Sequence, residues 1–464
     1  MAANESTGVA PQSLVSIGAG VKPSAFDAHH APEKHVMDTC VHCGFCLPAC
    51  PTYTLWGNEM DSPRGRIWMM RKASVGEAPL DTTFQQHIDH CLGCMSCVTA
   101  CPSGVEYNKL IEDTRAQVER NVPRTLADRA FRRMLFATFP HPKRLRLLGV
   151  PLAVYQRSGL QKLVRSSGLL QLLPRRLAAM DALLPKVPLN PFHSLAKHHT
   201  AQATARGRVA ILAGCVQDAF FDPVNQATAR VLTAYGYEVA APQDAGCCGA
   251  LLVHSGLEAQ AMVYARRAIA AFERTGAEYV VLNAAGCGST MKEYGHLLRD
   301  DVEWAARAQS FSAKCRDITE LLTGVDDGPV FHPLTMTIAY HDACHLRHAQ
   351  GIHAAPRSLL GRIPGVELRE IAEANLCCGS AGVYNLLYPE TAEELGDRKA
   401  ANVLATEAQA LVSANPGCLL QLAASLRRQG HGEVPAFHTV EVLDASIQGR
   451  TIEELLGVRR SEAK

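Results

Sequence analysis

The sequence predicts a multidomain α+β protein: a helical domain that holds metal through eight cysteines, then two α/β cysteine-rich domains related by an internal repeat. Three observations carry that reading. Eight of the 17 cysteines crowd into residues 40–101, in two similar runs. Two later groups of cysteines share a Cys-Cys-Gly signature at matching offsets. Strand-like and helix-like stretches alternate around each of these groups, the pattern of a parallel sheet.

The two runs come first. Cys40-Val-His-Cys43-Gly-Phe-Cys46-Leu-Pro-Ala-Cys50-Pro51 is followed by Cys91-Leu-Gly-Cys94-Met-Ser-Cys97-Val-Thr-Ala-Cys101-Pro102. Both fit C-x₂-C-x₂-C-x₃-C-P, in which three cysteines of a run hold one [4Fe–4S] cluster and the fourth ligates the other. The expected sets are therefore Cys40, Cys43, Cys46 and Cys101 for one cluster, and Cys91, Cys94, Cys97 and Cys50 for the second. Two-residue gaps let a tight loop wrap a cube. Gly44 and Gly93 let backbone approach the sulfurs, and Pro51 and Pro102 fix the chain as it leaves. Zinc is the competing reading, but four ligands per tetrahedral site leave the triple-plus-one spacing unexplained. A helix is expected from about Gly104, with Tyr107, Leu110, Ile111 and Val118 on one face.

The repeat follows. Cys215 precedes Cys247-Cys248-Gly249 by 32 residues, and Cys287 follows Cys248 by 39. In the second copy Cys344, Cys377-Cys378-Gly379 and Cys418 stand at spacings of 33 and 40, and a glycine precedes each last cysteine (Gly286, Gly417). Strands are expected at Val209 to Ala213, Glu238 to Ala241, Tyr279 to Asn283, Thr337 to Tyr340, Val366 to Ile371 and Ala410 to Ser413. A helix capped by Asp222 and ending at Gly236 follows the first strand. Another carries Leu257, Ala261, Ala265, Ile269 and Phe272. Each cysteine then follows the C-terminal end of a strand. Those ends share one edge of a parallel sheet, so four thiolates converge per copy. Cys215, Cys247, Cys248 and Cys287 form a candidate third metal site, and Cys344, Cys377, Cys378 and Cys418 a candidate fourth. Buried unligated thiols are the plainer alternative. Cys315 stands alone.

Bulk composition limits the rest. The 464 residues suffice for two or three domains with their own cores. A hydrophobic share of 47%, a charged share of 20% and a net charge of +1 speak against disorder and against a nucleic-acid partner. No apolar run nears the ~18 residues that span a bilayer. The first 30 residues lack the pattern of an export signal, so a reducing, cytoplasmic setting is expected. From Arg124 to Lys186 the chain carries 13 Lys or Arg against Asp128 and Asp181. Prolines divide that stretch into short helices, suited to an anionic membrane surface or an acidic partner, with a solvated face as the alternative. The expected division is 1–34 a flexible tail, 35–123 the two-cluster domain, 124–206 a basic helical connector, 207–327 and 333–448 the two Cys-Cys-Gly domains, and 449–464 a C-terminal tail. His341, His345, His348 and His353 surround Cys344 and are candidate extra ligands against a plainer role as hydrogen-bonded or surface histidines. His42 is placed to tune the first cluster. Arg64 and Arg66 either steady the cluster loops, meet a partner, or form a solvated turn. No G-x-G-x-x-G follows a strand and no Walker motif occurs, so no flavin or nucleotide site is expected on this chain.

From Cys40 to Leu443 the chain resembles the iron–sulfur subunit of bacterial glycolate oxidase. The resemblance rests on the first cysteine run, Ser62-Pro-Arg-Gly-Arg66, Ala245-Gly-Cys-Cys-Gly-Ala250, Gly286-Cys-Gly288, Lys292-Glu-Tyr-Gly295 and Leu376-Cys-Cys-Gly-Ser-Ala-Gly382. It implies an electron-transfer chain with no catalytic residues of its own, FAD on flavin-binding partner subunits that oxidise glycolate to glyoxylate, and a quinone or other acceptor. It also implies peripheral attachment to the cytoplasmic face of the inner membrane. Relatives acting on lactate or glycerol-3-phosphate, and a heterodisulfide-reductase-like catalytic subunit, are the alternatives. In the wider family the last motif is C-x-x-C and the site can hold a noncubane cluster. Here Thr290 and Gln421 replace the final cysteine, leaving four thiolates per site and the metal open.

Overall fold

A computed structural model describes residues 23–187 and 195–463. Between Lys34 and Asn121 the elements are helices wound round one apolar core of Val36, Met37, Ile67, Met70, Phe84, Ile88, Leu110, Ile111 and Val118. The helix Tyr107–Asn121 forms where the spacing of its apolar residues requires, and it buries Tyr107, Leu110, Ile111 and Val118. Side chains of this size stabilise by roughly 1.5–3 kcal/mol each when fully buried. The residues before it differ from the loose tail expected of 1–34. Phe26 is buried, and the Asp27 carboxylate accepts from Arg120 and Asn121. Of that tail, residues 1–22 lie outside the described residues.

Ser62-Pro-Arg-Gly-Arg66 is no solvated turn; it opens the helix Pro63–Ser74. Ser62 Oγ accepts from Gly65 N at 3.0 Å, and Pro63 sits in the first turn. Gly65 is required by close approach, because a Cβ there would lie 1.9 Å from the Glu59 carbonyl oxygen.

The connector forms helices Leu126–Thr138, Pro142–Arg157, Leu160–Ser166 and Arg175–Ala182. Pro151 stands inside the second of them. Their outer faces are unusually apolar: Leu147 is 65% and Leu172 81% exposed, with Leu148, Val154, Leu160 and Leu163 also open to solvent. No helix among the described residues is long and apolar enough to cross a membrane.

Two sheets follow. The first contains β1 (His198–His199), β2 (Gly207–Ile211), β3 (Tyr237–Ala240), β4 (Tyr279–Leu282) and β5 (Cys315–Asp317), in the order β1-β3-β2-β4-β5. The second contains β6 (Met336–His341), β7 (Val366–Glu370), β8 (Ala410–Ser413) and β9 (Ala436–His438), in the order β7-β6-β8-β9. All pairs are parallel except β1 with β3. The six expected strands appear within two residues of their expected ends. The pattern gave no sign of β1, β5 and β9, which are only two or three residues long. Asp222 is the first residue of its helix, Asp222–Ala234, and Phe221 takes the capping position. One apolar core, including Val209, Val231, Leu232, Ile338, Phe437 and Val440, serves both sheets. Arg230 clamps across it to the Asp444 carboxylate at 2.9 and 2.7 Å.

Candidate metal centres

The N-terminal runs enclose two small cavities. One is lined by Cys40, Cys43, Cys46, Cys97 and Cys101. The other is lined by Cys50, Cys91, Cys94 and Cys97. Cys101 of the second run thus lines the first cavity and Cys50 of the first run the second, the exchange that two close cubes need. The loops turn through left-handed backbone at His42, Gly44, Gly93 and Met95. None of the seventeen cysteines is in a disulfide, so every thiol of the donor sets is free for metal. The residues present fit two [4Fe–4S] clusters.

The two cavities differ in exposure and charge. Cys43 is exposed between Val41 and Phe45, which are 68% and 65% exposed. Arg71 reaches this loop, donating to the carbonyls of Met37 and Cys40, and its guanidinium meets the His42 ring at 3.0 Å. His42 therefore engages Arg71. Burial together with Arg71 and Arg64 keeps its pKa below the usual histidine value. The second cavity is buried, and Arg66 is buried beside it at 1% exposure. Arg66 donates to the His87 carbonyl at 2.6 Å and to Thr52 Oγ1 and Asp61. Thr52 Oγ1 lies 3.2 Å from Cys50 Sγ. His87 and His90 both meet Asp61 Oδ1, at 3.0 and 3.1 Å. Burial of that carboxyl is outweighed by these partners, and its pKa falls. Arg115 donates to the Cys91 carbonyl. Burial resists ionisation of the Cys91 thiol, yet the charges of Arg66 and Arg115 overcome it and the pKa is lowered. Burial drives Cys94 and Cys97 well up, so a bound metal must displace their protons to hold them as thiolates.

Every cysteine of the later sets follows a strand end, as the alternation predicted. Gly249 and Gly379 adopt φ of +79° and +88°, the left-handed region that spares glycine a clash. At Gly379 a Cβ would also come within 2.5 Å of the Ala392 carbonyl oxygen. Cys215 Sγ and Cys247 Sγ are 3.5 Å apart, and Cys344 Sγ and Cys377 Sγ 3.9 Å. Gly249 N and Ala250 N donate to Cys247 and Cys248. Contacts from Cys247 and Cys287 lower the Cys248 pKa, and contacts from Cys377, Cys418 and His341 lower that of Cys378. Of the four histidines near Cys344, only His341 groups with cysteine sulfurs. His345 meets the Gly93 carbonyl at 2.8 Å and Ser289 Oγ at 2.9 Å, His348 meets Thr99 and Asn375, and His353 is exposed. Cys315 is a core thiol at the start of β5, its Sγ 3.5 Å from the Phe311 carbonyl.

These sets are contiguous. Cys94 packs in one apolar cluster with Leu92, Cys377 and Tyr384, with Cys344 against it. His345 joins the loop of the second ferredoxin cavity to the helix Ala285–Lys292, which carries Cys287. Both later cysteine sets line a common cavity of about 320 Å³, which Leu145, Leu148, Leu152, Met180 and Leu183 of the connector also line. Sequence spacing grouped the cysteines but gave no sign of Arg115, of the Asp61 network, or of the contact between Cys94 and Cys344. Those depend on how the domains meet.

A fold with two adjoining cluster loops and two thiolate sets at sheet edges defines an iron–sulfur electron-transfer protein. Comparison with known families and proteins agrees. Residues 36–105 match a 4Fe–4S dicluster domain, 209–292 and 338–423 a cysteine-rich domain, and 127–184 the linker region of the glycolate oxidase iron–sulfur subunit. The chain is 41% identical to the probable glycolate oxidase iron–sulfur subunit of Bacillus subtilis, over 87% of this chain and 92% of that one. It is 34% identical to the glycolate oxidase iron–sulfur subunit of Escherichia coli, over 89% and 95%. Lactate utilization protein A of an Exiguobacterium matches 52% of the chain at 33% identity, over 98% of its own length. The chain belongs to the glycolate oxidase iron–sulfur subunit family, and its cofactors are iron–sulfur clusters.

Proposed function

We propose that this chain carries electrons from a flavin-bearing partner subunit, which oxidises glycolate to glyoxylate, toward a quinone. The observation that carries the reading is the unbroken succession of cysteine sets, from the exposed Cys43 loop through Cys94 and Cys344 to the shared cavity. When bound, each cluster takes up and releases a single electron, which suits a flavin that splits a two-electron oxidation. Cys40, Cys43, Cys46 and Cys101 would hold the cluster nearer the surface, and Cys91, Cys94, Cys97 and Cys50 the buried one. The two Cys-Cys-Gly sets would hold further metal. Val41 and Phe45 would meet the flavin subunit beside the exposed cluster. An acceptor in the cavity would face both later thiolate sets and the connector's apolar wall.

The same reading keeps the expected division, with 207–327 and 333–448 descending from one duplicated unit, except that Phe26 and Asp27 join the two-cluster domain and His198–His199 joins the first sheet. The basic connector, with its exposed leucines and valines, would rest on the anionic cytoplasmic face of the inner membrane. Lactate is the second substrate reading, favoured by the match to lactate utilization proteins over half the chain. The test is deletion of this chain from cells that keep the flavin subunits. Membranes should then lose glycolate-dependent quinone reduction and regain it with the gene restored. Full retained activity, or restoration with lactate alone, would reject the glycolate assignment.

A further inference from the structure

The two Cys-Cys-Gly sites are not equivalent. His341 is the last residue of β6 and is buried, and its ring nitrogen groups with Cys378 Sγ and Cys418 Sγ, all within 4.8 Å of one another. Its backbone is fixed on both sides. It pairs with Ser413 in the parallel register, and Ser413 Oγ donates to its carbonyl at 3.0 Å. The first site has Leu212 at the matching position, three residues before Cys215, and Leu212 is packed in the apolar core. At the first site His254 lines the shared cavity near Cys248, but among the described residues it forms no three-membered group with two cysteine sulfurs as His341 does.

We infer that His341 is the fifth donor of the metal centre at the second Cys-Cys-Gly site, giving it four thiolates and one imidazole where the first site has four thiolates alone. The inference deepens the proposed relay and rests on that reading only in that the site carries metal. Three features favour ligation over a plain hydrogen bond. The donors include Cys344 and Cys377, whose sulfurs at 3.9 Å match the roughly 3.8 Å edge of two thiolates on one metal with bonds of ~2.3 Å. With Cys344 and Cys377 paired on one side, the ring nitrogen of His341 stands with the other two sulfurs, those of Cys378 and Cys418, close enough to share their metal. Gln421, where a C-x-x-C motif would supply another sulfur to this site, is buried and carries none. Imidazole is an accepted ligand of iron alongside thiolate and raises the potential of the centre.

The test uses the full chain, purified without oxygen and labelled with ¹⁵N-histidine. Pulsed EPR across a range of poised potentials reads nitrogen coupling, while Mössbauer spectra and metal analysis read the total content. The native chain should show coupling to one histidine nitrogen and iron beyond the ~8 of two cubes. His341→Ala should abolish the coupling and lower iron to that of the other sites, with the cubane signals unchanged. His341→Cys should keep the iron and lose the coupling. His353→Ala, at an exposed histidine, should change nothing. Unchanged coupling, iron and Mössbauer spectrum in His341→Ala would overturn the inference, as would a native chain with only ~8 irons. Loss of the cubane signals in the native chain would count against the ferredoxin assignment itself, a separate failure.

Discussion

Replacing Arg66 should lower the reduction potential of the buried ferredoxin cluster. The guanidinium is buried, 3.3 Å from Thr52 Oγ1, which lies 3.2 Å from Cys50 Sγ. Charge and sulfur are thus no further apart than those two contacts laid end to end. A unit charge ~6.5 Å away at an effective dielectric of ~20 is worth roughly 2.5 kcal/mol. Reduction adds negative charge, so the arginine favours the reduced state. At ~2.3 kcal/mol per 100 mV, removing it lowers the potential by about 100 mV. Asp61 remains in both proteins, held by His87 and His90, so its charge cancels in the comparison. The assay is a redox titration followed by EPR on Arg66→Met and Arg66→Lys. The lysine variant keeps the charge and should recover most of the potential, although it cannot reproduce the guanidinium's bonds to His87, Thr52 and Asp61. A potential within ~20 mV of native in Arg66→Met, with the cluster fully loaded, would refute the reasoning.

Other outcomes follow from particular contacts. Gly65→Ala forces a Cβ against the Glu59 carbonyl at 1.9 Å and should cost more than ~2 kcal/mol of stability, read as a lower unfolding midpoint; an unchanged midpoint would contradict the packing. Although burial opposes it, His30 has a raised pKa from its bond to the Glu258 carboxylate, and such a group stabilises fully below its unfolded value and loses that contribution as pH rises through the folded value. Hydrogen exchange at residues 27–30 should therefore quicken as pH rises above the ordinary histidine range, beyond the intrinsic rate change, and Glu258→Gln should lessen that extra pH dependence, Asp300 still lying 2.9 Å from the other ring nitrogen. The connector should bind vesicles with anionic lipid more tightly than neutral ones at low salt, and paired replacement of Leu147 and Leu172 by serine should weaken the binding; equal affinity for both vesicle types would exclude the membrane surface.

Local spacing in the chain was a good guide to whatever local physics decides. The C-x₂-C-x₂-C runs dictate loop geometry within a dozen residues, and β2 to β4 and β6 to β8 lie where short apolar or alternating runs precede the cysteines. Tertiary contact decides the rest. Arg115 reaches the Cys91 carbonyl from a helix that the pattern marked only for its apolar face. The sequence left Arg66 open between steadying a cluster loop, meeting a partner and a solvated turn; it is buried, and the Asp61 carboxylate 3.3 Å away offsets that burial. Strands β5 and β9 are three residues each, too short for periodicity to show. Four clustered histidines were visible in sequence, but only the strand register aims His341 at sulfur while sending His345 to Gly93 and Ser289.

The exchange of one ligand between the two N-terminal loops is tested most directly by EPR spin quantitation of Cys50→Ser beside Cys101→Ser. The account has Cys50→Ser damaging the buried cluster, Cys101→Ser damaging the exposed one, and the magnetic coupling between the cubes lost in both. If each variant instead loses the cluster of its own run, or both retain two coupled cubes, the arrangement is wrong.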